Sequence, residues 1–205
     1  ILNEGLVYDS CQVGIITNVD PASHFGRHGI ETLKQVFTVL RTQVDVVTPT
    51  AAAIDDVEEG VKLPIGVAVL NAKDEMLVEI SELCHGEVIF FSINPDLPVI
   101  TQHRVTGTGH KQGKRAVIVR NNTVMLVTGS DELPLVRLME IPAVTGKHST
   151  QEIENVLAAI GAAWALGIEP DLIRIGIETF GFSQEKYKSE NQNLPIGLQT
   201  QGIKL

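Results

Sequence analysis

A histidine in a polar loop is the first side chain whose type and position suit chemistry. His24 follows residues 13–18, a short apolar run that ends in polar residues and is typical of a buried parallel strand. Open α/β sheets bind ligands beyond the carboxyl ends of their strands, so an imidazole there can ligate Mg²⁺ or Mn²⁺ beside phosphate oxygens. Neutral imidazole with oxygen ligands suits Mn²⁺, whereas Mg²⁺ prefers oxygen. The alternative is a loop histidine that binds nothing.

A second polar group follows another apolar run. Residues 65–70 predict a second buried strand, and Asn71 and Asp74 come directly after it. Asp74 is well placed to cap the helix predicted over residues 74–84, because an aspartate there accepts hydrogen bonds from the first backbone N–H groups. From the residues alone, this is a strand-to-helix turn.

Asn155 is a polar residue in the clearest predicted helix, residues 150–166, which is otherwise apolar and rich in alanine. Thr150 can cap this helix. A single asparagine in such a helix most simply lies on its solvated face. Trp164 and Leu166 are predicted to be core residues.

The glycine-rich segment 106–115 looks at first like a phosphate loop. It lacks the Walker pattern, because Arg115 stands where serine or threonine is needed and Thr108 stands where the first glycine should be. It also leads into a predicted hairpin and does not open a helix. We expect a surface loop, whose lysines and arginine could contact an acidic polymer weakly.

The apolar runs together predict an α/β fold. Strand, helix, strand, helix, strand is the order of a parallel sheet with crossover helices. A hairpin and one further antiparallel strand follow, with Asn121 and Asn122 at the turn because asparagine tolerates positive φ. The predicted segments are strand 13–18, helix 30–44, strand 65–70, helix 74–84, strand 88–92, strands 115–120, 123–127 and 135–141, and helices 150–166 and 170–180.

These elements predict one α/β domain over residues 1–180, with a mostly parallel sheet flanked by helices. A small antiparallel β subdomain is expected over about residues 104–142. Residues 181–205 are polar and weakly patterned, which indicates a partly disordered tail or the start of a truncated C-terminal domain. The chain begins at Ile1 and not at a methionine, so we expect it to be part of a longer protein.

The composition is that of a soluble globular protein, with 43% apolar and 20% charged residues. A formal net charge of -9 argues against nucleic-acid binding, which needs Lys and Arg facing phosphates, and would not repel a cationic substrate such as arginine. The sequence contains neither a transmembrane run nor a signal peptide, so no membrane partner is expected. Cys11 and Cys84 fit no metal or redox spacing and are predicted to be reduced, buried thiols of a cytoplasmic protein.

Four segments resemble the Mur-type ligases in order and spacing. The first is the strand at 13–18 with the loop that carries His24, preceded by Glu4-Gly5-Leu6 and Asp9. The alanine-tryptophan ending of the long helix is most similar to the cyanophycin synthetases within this family, and the resemblance covers about residues 1–180. The other three segments are Gly29-Ile30-Glu31-Thr32-Leu33, Leu70-Asn71-Ala72-Lys73-Asp74 and residues 146–167.

The resemblance implies a ligase module that activates a carboxylate with ATP as an acyl phosphate, which an amine attacks to form an amide. In cyanophycin synthetases, such a module joins arginine to the aspartate side chains of a poly-aspartate chain. The implied cofactors are ATP and Mg²⁺ (or Mn²⁺), and the implied partners are an amino acid and an acidic polymer. The resemblance places His24 at the metal, Asn71 at the adenine, Asp74 at the ribose and Asn155 near the nucleotide. It assigns no catalytic residue.

Several departures from the family pattern affect catalysis. The 205 residues contain no phosphate loop, so we expect the chain to be inactive alone. Leu40 stands where the family often has a lysine that is carbamylated and holds a second metal, and Ser23 replaces a usual aspartate. The proline-glycine-arginine-phenylalanine junction does not occur, and its nearest counterpart is residues 193–197.

These departures leave alternatives open. One is a degenerate Mur-type module that serves as a non-catalytic scaffold or docks a polymer or a second subunit. Another is a relative of the folate or peptidoglycan ligases. The sequence leaves the oligomeric state open, with a homo-oligomer as one possibility.

Overall fold

In the part of the chain that the structure describes, the fold is a six-stranded sheet with helices on both faces, and the predicted α/β class is confirmed. The computed structural model describes residues 11–19, 66–84, 86–105, 114–144 and 149–180. The described elements are β1 (Val13–Ile16), β2 (Val67–Asn71), α1 (Glu75–Ser81), β3 (Glu87–Ser92), α2 (Pro98–Val105), β4 (Arg115–Arg120), β5 (Thr123–Thr128), β6 (Asp131–Arg137), a 3₁₀ turn (Leu138–Glu140), α3 (Thr150–Ala165) and α4 (Pro170–Thr179).

The strands lie side by side in the order β1-β2-β3-β4-β5-β6, the same order as in the chain. β1 to β4 are parallel to one another, and β4, β5 and β6 form an antiparallel meander. β4 belongs to both halves, since Phe91 pairs with Val117 in the parallel ladder and Val117 pairs with Leu126 in the antiparallel one. The antiparallel strands therefore extend the parallel sheet without a break.

Two apolar cores cover the two faces of the sheet, which explains why its central strands are continuous apolar runs. Alternate residues of β2 face opposite sides, so Val67 and Val69 belong to the core under α3, whereas Ala68 and Leu70 belong to the core under α1 and α2. All five residues of β2 are buried.

The hairpin between β4 and β5 turns at the two predicted asparagines, which have positive φ values of 50° and 62° at Asn121 and Asn122. The prediction for the next strand was wrong in its bounds, because β6 begins at Asp131 and residues 138–140 form a 3₁₀ turn. Pro134 argues against a strand in the sequence, yet β6 is the outermost described strand and has a bulge at Leu135, so the missing N–H is tolerated.

The two C-terminal helices are confirmed close to their predicted bounds. The cap of α3 is Ser149 and not Thr150: its hydroxyl accepts from the Glu152 N–H while the Glu152 carboxylate accepts from the Ser149 N–H, a capping box. Gly167 ends α3 with a φ of 77°. The first residue of α4 is Pro170, as predicted.

Some expectations need correction. α2 was not predicted, because it is short and its apolar residues follow no clear helical period. Leu166 is 58% exposed, since it lies at the C-cap of α3 beyond the sheet, and is not a core residue. Cys11 and Cys84 are free thiols but only partly buried.

Several predictions fall outside the described residues: the loop with His24, the helix over 30–44, the loop over 106–113 and the tail from residue 181. In the described part of the chain, no helix has the length and apolar character needed to cross a membrane.

Candidate functional site

A cleft of about 370 Å³ lies at the carboxyl ends of β1 and β2, beside the first turns of α3. Its volume falls in the range of small-molecule sites, roughly 300 to 1,000 Å³. Beyond the carboxyl ends of parallel strands is also where open α/β sheets bind their ligands. The described residues that line it all have polar side chains: Asn18, Asn71, Lys73, Asp74, Thr150, Gln151 and Glu154.

Asn71 forms the floor of the cleft as the last residue of β2, and it is only 2% exposed. Its Oδ1 accepts a hydrogen bond from the Lys73 N–H at 3.0 Å, which closes the turn after the strand. The turn uses one lone pair of Oδ1 and neither Nδ2–H, so Asn71 keeps two donors for a ligand.

Asp74 caps α1, as predicted. Its Oδ1 accepts from the N–H groups of Met76 and Leu77 at 3.0 and 3.4 Å. Its Oδ2 accepts from the Val19 N–H at 2.7 Å, a contact between residues 55 positions apart. One carboxylate therefore caps α1 and also ties the chain after β1 to the β2–α1 turn, so that two sides of the cleft are held together.

The opposite wall comes from α3. Gln151 and Glu154 are three residues apart and Thr150 lies four before Glu154, so the three share one face of the helix. The Glu154 side chain is 14% exposed, and its carboxylate lies 3.8 Å from the ammonium group of Lys73, whose side chain is 68% exposed. The pair spans the cleft between the two walls.

The charges of the cleft favour an uncharged, hydrogen-bonding ligand group. Among the described residues, two carboxylates and one ammonium group line it, and together they carry a formal charge of minus one. A phosphate inside would face carboxylates at short range, which is unfavourable in a partly buried site. The base and sugar of a nucleotide suit this lining better than its phosphates do.

The structure brings Asn71 and Asp74 together in the cleft, but it does not place Asn155 among the lining residues, and His24 lies outside the described residues. Asn155 is exposed and follows Glu154, the residue that lines the cleft, so its predicted role near a nucleotide remains a prediction. Sequence reasoning missed Glu154 and Lys73. The shared helical face of Thr150, Gln151 and Glu154 was the signal that could have found the wall residue.

No metal centre can be built from the described residues, among which no three His, Cys, Asp or Glu side chains cluster to hold an ion. The predicted metal ligand, His24, lies outside them, so metal binding remains a prediction for that loop.

Arg115 has a structural role, because its guanidinium is bound within the protein and is not available for the predicted contact with an acidic polymer. Its guanidinium donates to both Glu87 carboxylate oxygens at 2.6 and 2.8 Å and to the Trp164 carbonyl at 3.1 Å. It also lies 4.9 Å from the centre of the Trp164 ring. These contacts join the starts of β3 and β4 to the end of α3.

Comparison with curated proteins gives relatives along most of the chain. The cyanophycin synthetase of Synechocystis sp. is 32% identical over 186 residues, which is 91% of this chain and 19% of that protein. The cyanophycin synthetase of Crocosphaera subtropica is 31% identical over 180 residues, or 88% of this chain and 18% of that protein. The chain thus spans about a fifth of the length of these relatives. No protein-family model matches it.

A weaker similarity reaches a cell-wall enzyme. The UDP-N-acetylmuramate–L-alanine ligase of Phenylobacterium zucineum is 24% identical over 176 residues, which is 85% of this chain and 30% of the ligase. The match agrees with the order of elements expected for a Mur-type module. The resemblance seen in the sequence is therefore confirmed: this chain is homologous to one segment of the cyanophycin synthetases and, more distantly, to a Mur ligase.

Proposed function

We propose that this chain is part of an ATP-dependent ligase that forms amide bonds, and that its cleft binds the nucleoside end of ATP. By analogy with the cyanophycin synthetases, the substrates are arginine and the aspartate side chains of a poly-aspartate chain. The observation that carries the proposal is the polar cleft at the carboxyl ends of β1 and β2, in a chain whose relatives are ligases.

The residues of the cleft would bind and orient the nucleotide. The Asn71 amide, which is buried and lines the cleft, donates to acceptor atoms of the adenine ring. The phosphates leave the cleft past Lys73, which is largely exposed. Catalysis would come from positioning the γ-phosphate against a carboxylate, so that the acyl phosphate forms and an amine then displaces the phosphate.

Two parts of the reaction lie outside the cleft. No Walker-type phosphate loop occurs in the 205 residues, and backbone amides with a lysine normally hold the β- and γ-phosphates. We therefore expect this chain alone to release no ADP from ATP. A divalent metal accompanies ATP in such reactions, and His24 remains its predicted ligand.

Phosphate release by the protein that carries this chain tests the proposal. With ATP, arginine and a poly-aspartate primer present, we expect release that falls to background when either arginine or the primer is omitted. The variant Asn71→Ala should raise the KM for ATP, whereas Asn121→Gly, in the distant hairpin turn, should not. Release that requires a muramoyl or folate substrate instead of arginine would overturn the assignment of substrates.

A non-catalytic scaffold is the second candidate, and Leu40 is the observation that favours it. An aliphatic side chain at the position expected for a carbamylated lysine cannot ligate a metal. In the same assay, a scaffold binds poly-aspartate or a second subunit but shows no turnover even when ATP is bound. Arginine-dependent turnover would exclude it.

A further inference from the structure

The two carboxylates of the cleft differ in how much of their hydrogen-bonding capacity is already used. A carboxylate has about four lone-pair positions. Asp74 directs three of them to backbone N–H groups, those of Val19, Met76 and Leu77. It therefore has little capacity left for a ligand, although it lines the cleft.

Glu154 is in the opposite situation. Its side chain is largely buried at 14% exposure, and among the described residues its charged neighbour is Lys73 at 3.8 Å. That separation is longer than a hydrogen bond, and Lys73 is mostly in solvent. A carboxylate removed from water is stabilised by hydrogen-bond donors, and a ligand with hydroxyl groups would supply them.

The lining residues differ in how far they are exposed to solvent, and this difference orients a bound nucleotide. Asn71, on the floor, is 2% exposed. The Glu154 side chain is 14% exposed and that of Lys73, at the mouth, is 68% exposed. A nucleotide with its base against Asn71 and its phosphates beyond Lys73 brings its ribose alongside Glu154.

The chemistry of the two inner residues agrees with this orientation. Asn71 keeps its Nδ2–H donors, because the bond from the Lys73 N–H goes to Oδ1, and the ring nitrogens of a base are acceptors. Glu154 accepts only, and the ribose hydroxyls are donors. Carboxylates bind ribose hydroxyls in this way in other nucleotide-binding α/β folds.

We propose that Glu154, and not Asp74, accepts hydrogen bonds from the ribose hydroxyls of the bound nucleotide, while Asp74 positions the turn that shapes the cleft. The inference rests on the proposed function, in that the cleft binds ATP. The family resemblance implies Asp74, on the β2–α1 turn, as the ribose ligand. The inference assigns this role to Glu154, on the opposite wall, instead.

Titration of the ¹⁵N-labelled 205-residue chain with ATP, 2′-deoxy-ATP and 3′-deoxy-ATP tests the inference, with NMR shifts giving each Kd. The wild-type chain should bind ATP about 10-fold more tightly than at least one deoxy form, because a hydrogen bond to a charged group is lost. Glu154→Gln should bind ATP more weakly and show a smaller preference for ATP over that deoxy form, because its amide oxygen accepts only a neutral hydrogen bond.

Two further variants separate ribose binding from general effects. Glu152→Gln makes the same charge change two residues earlier on α3, at a residue that does not line the cleft, and should match wild type in affinity and preference. Asp74→Asn should lower the melting temperature and keep the preference for ATP. Dispersed amide signals show for each variant that the chain is folded.

The outcomes distinguish the inference from the function on which it rests. If wild type prefers ATP over the deoxy forms and Glu154→Gln keeps that preference undiminished, or if Asp74→Asn abolishes it, the inference is overturned. If wild type binds no adenine nucleotide at millimolar concentration, the proposed function of the cleft fails as well. Arginine is titrated in parallel, and shifts that depend on Glu154 with arginine but not with ATP would assign the carboxylate to a guanidinium ligand.

Discussion

At the scale of single residues, Asp74 joins two segments of the chain, because its carboxylate caps α1 and also accepts from the Val19 N–H. The capping role of Asp74 follows from its place before a helix, and the structure confirms it. Its bond to the Val19 N–H spans 55 positions, and no pattern in the sequence indicates such a pair. Glu154 was missed for a similar reason, because its importance depends on the turn that the fold brings opposite α3.

His103 is a buried histidine that belongs to no recognisable sequence motif. Its Nε2 lies 3.0 Å from the Val88 carbonyl oxygen and 3.2 Å from that of Arg115, so a neutral ring with a proton on Nε2 donates to both. Its ring meets Phe90 edge-on at 4.8 Å. Burial lowers the pKa of His103 to about 4, with a smaller contribution from Lys114, while the two carbonyls and Glu87 oppose the shift.

This lowered pKa predicts that acid weakens the fold. The unfolded chain takes up a proton on His103 below about pH 6.5 and the folded chain only near its pKa of about 4, so stability is full above 6.5 and falls between these values. From pH 7 to pH 5, we expect His103 to contribute a loss of about 2 kcal/mol. Urea unfolding of wild type and His103→Gln at both pH values measures it.

The glutamine keeps an amide donor and does not titrate, so its loss of stability between pH 7 and pH 5 should be smaller by that amount. Equal losses in both proteins would contradict the assignment. Should the variant not fold, the His103 ring signals of wild type are followed instead, and they should not titrate above pH 5.

At the scale of elements, periodicity predicted the helices and strands whose bounds depend on the residues of one segment alone. The strands β2 to β5 and the helices α3 and α4 have regular apolar patterns, and each was predicted close to its bounds. The predicted bounds of β6 were wrong because Pro134 argued against a strand at its position. The proline is tolerated only because of where β6 lies in the sheet. The bounds of such elements depend on their neighbours, which the sequence pattern does not contain.

Gly161 sets how closely α3 approaches the sheet. A Cβ atom there would lie 2.8 Å from Cγ1 of Val69, a fully buried and stiff side chain, and in contact with Val117 and Ile89. Gly161→Ala should therefore lower the free energy of unfolding by about 2 kcal/mol, because overpacking outweighs the better helix propensity of alanine. Chemical unfolding of both proteins checks this.

Gly176 in α4 is the matched control, since a Cβ atom there meets nothing within 4 Å. Gly176→Ala should raise stability by about 0.5 to 1 kcal/mol. If both alanines stabilise, the helix is not held against the sheet at Gly161.

At the scale of the whole molecule, the sequence predicted the fold class but described the antiparallel strands as a subdomain. The change from crossover helices to a hairpin indicates a new unit, yet β4 pairs with β3 in the parallel ladder and with β5 in the antiparallel one. The pairing of β4 with β3 cannot be recognised from the residues of either strand alone. The domain bounds proposed from the sequence therefore remain a prediction.

The continuous sheet predicts a single unfolding transition. Trp164 is the only tryptophan in the sequence, and it contacts Arg115 at the start of β4, so its fluorescence reports on the join between the two halves. We expect the fluorescence and far-UV circular dichroism midpoints in urea to coincide. Two separate transitions would instead support an independent antiparallel subdomain.

The described strands lie in the sheet in the same order as along the chain, and this has a consequence for folding during synthesis. A ribosome delivers the chain N-terminus first, and folding can begin before synthesis ends. Because each described strand pairs with the one before it, every newly emerged strand meets an edge that is already formed, and none has to be inserted between two paired strands. We expect this sheet to grow in one direction during translation.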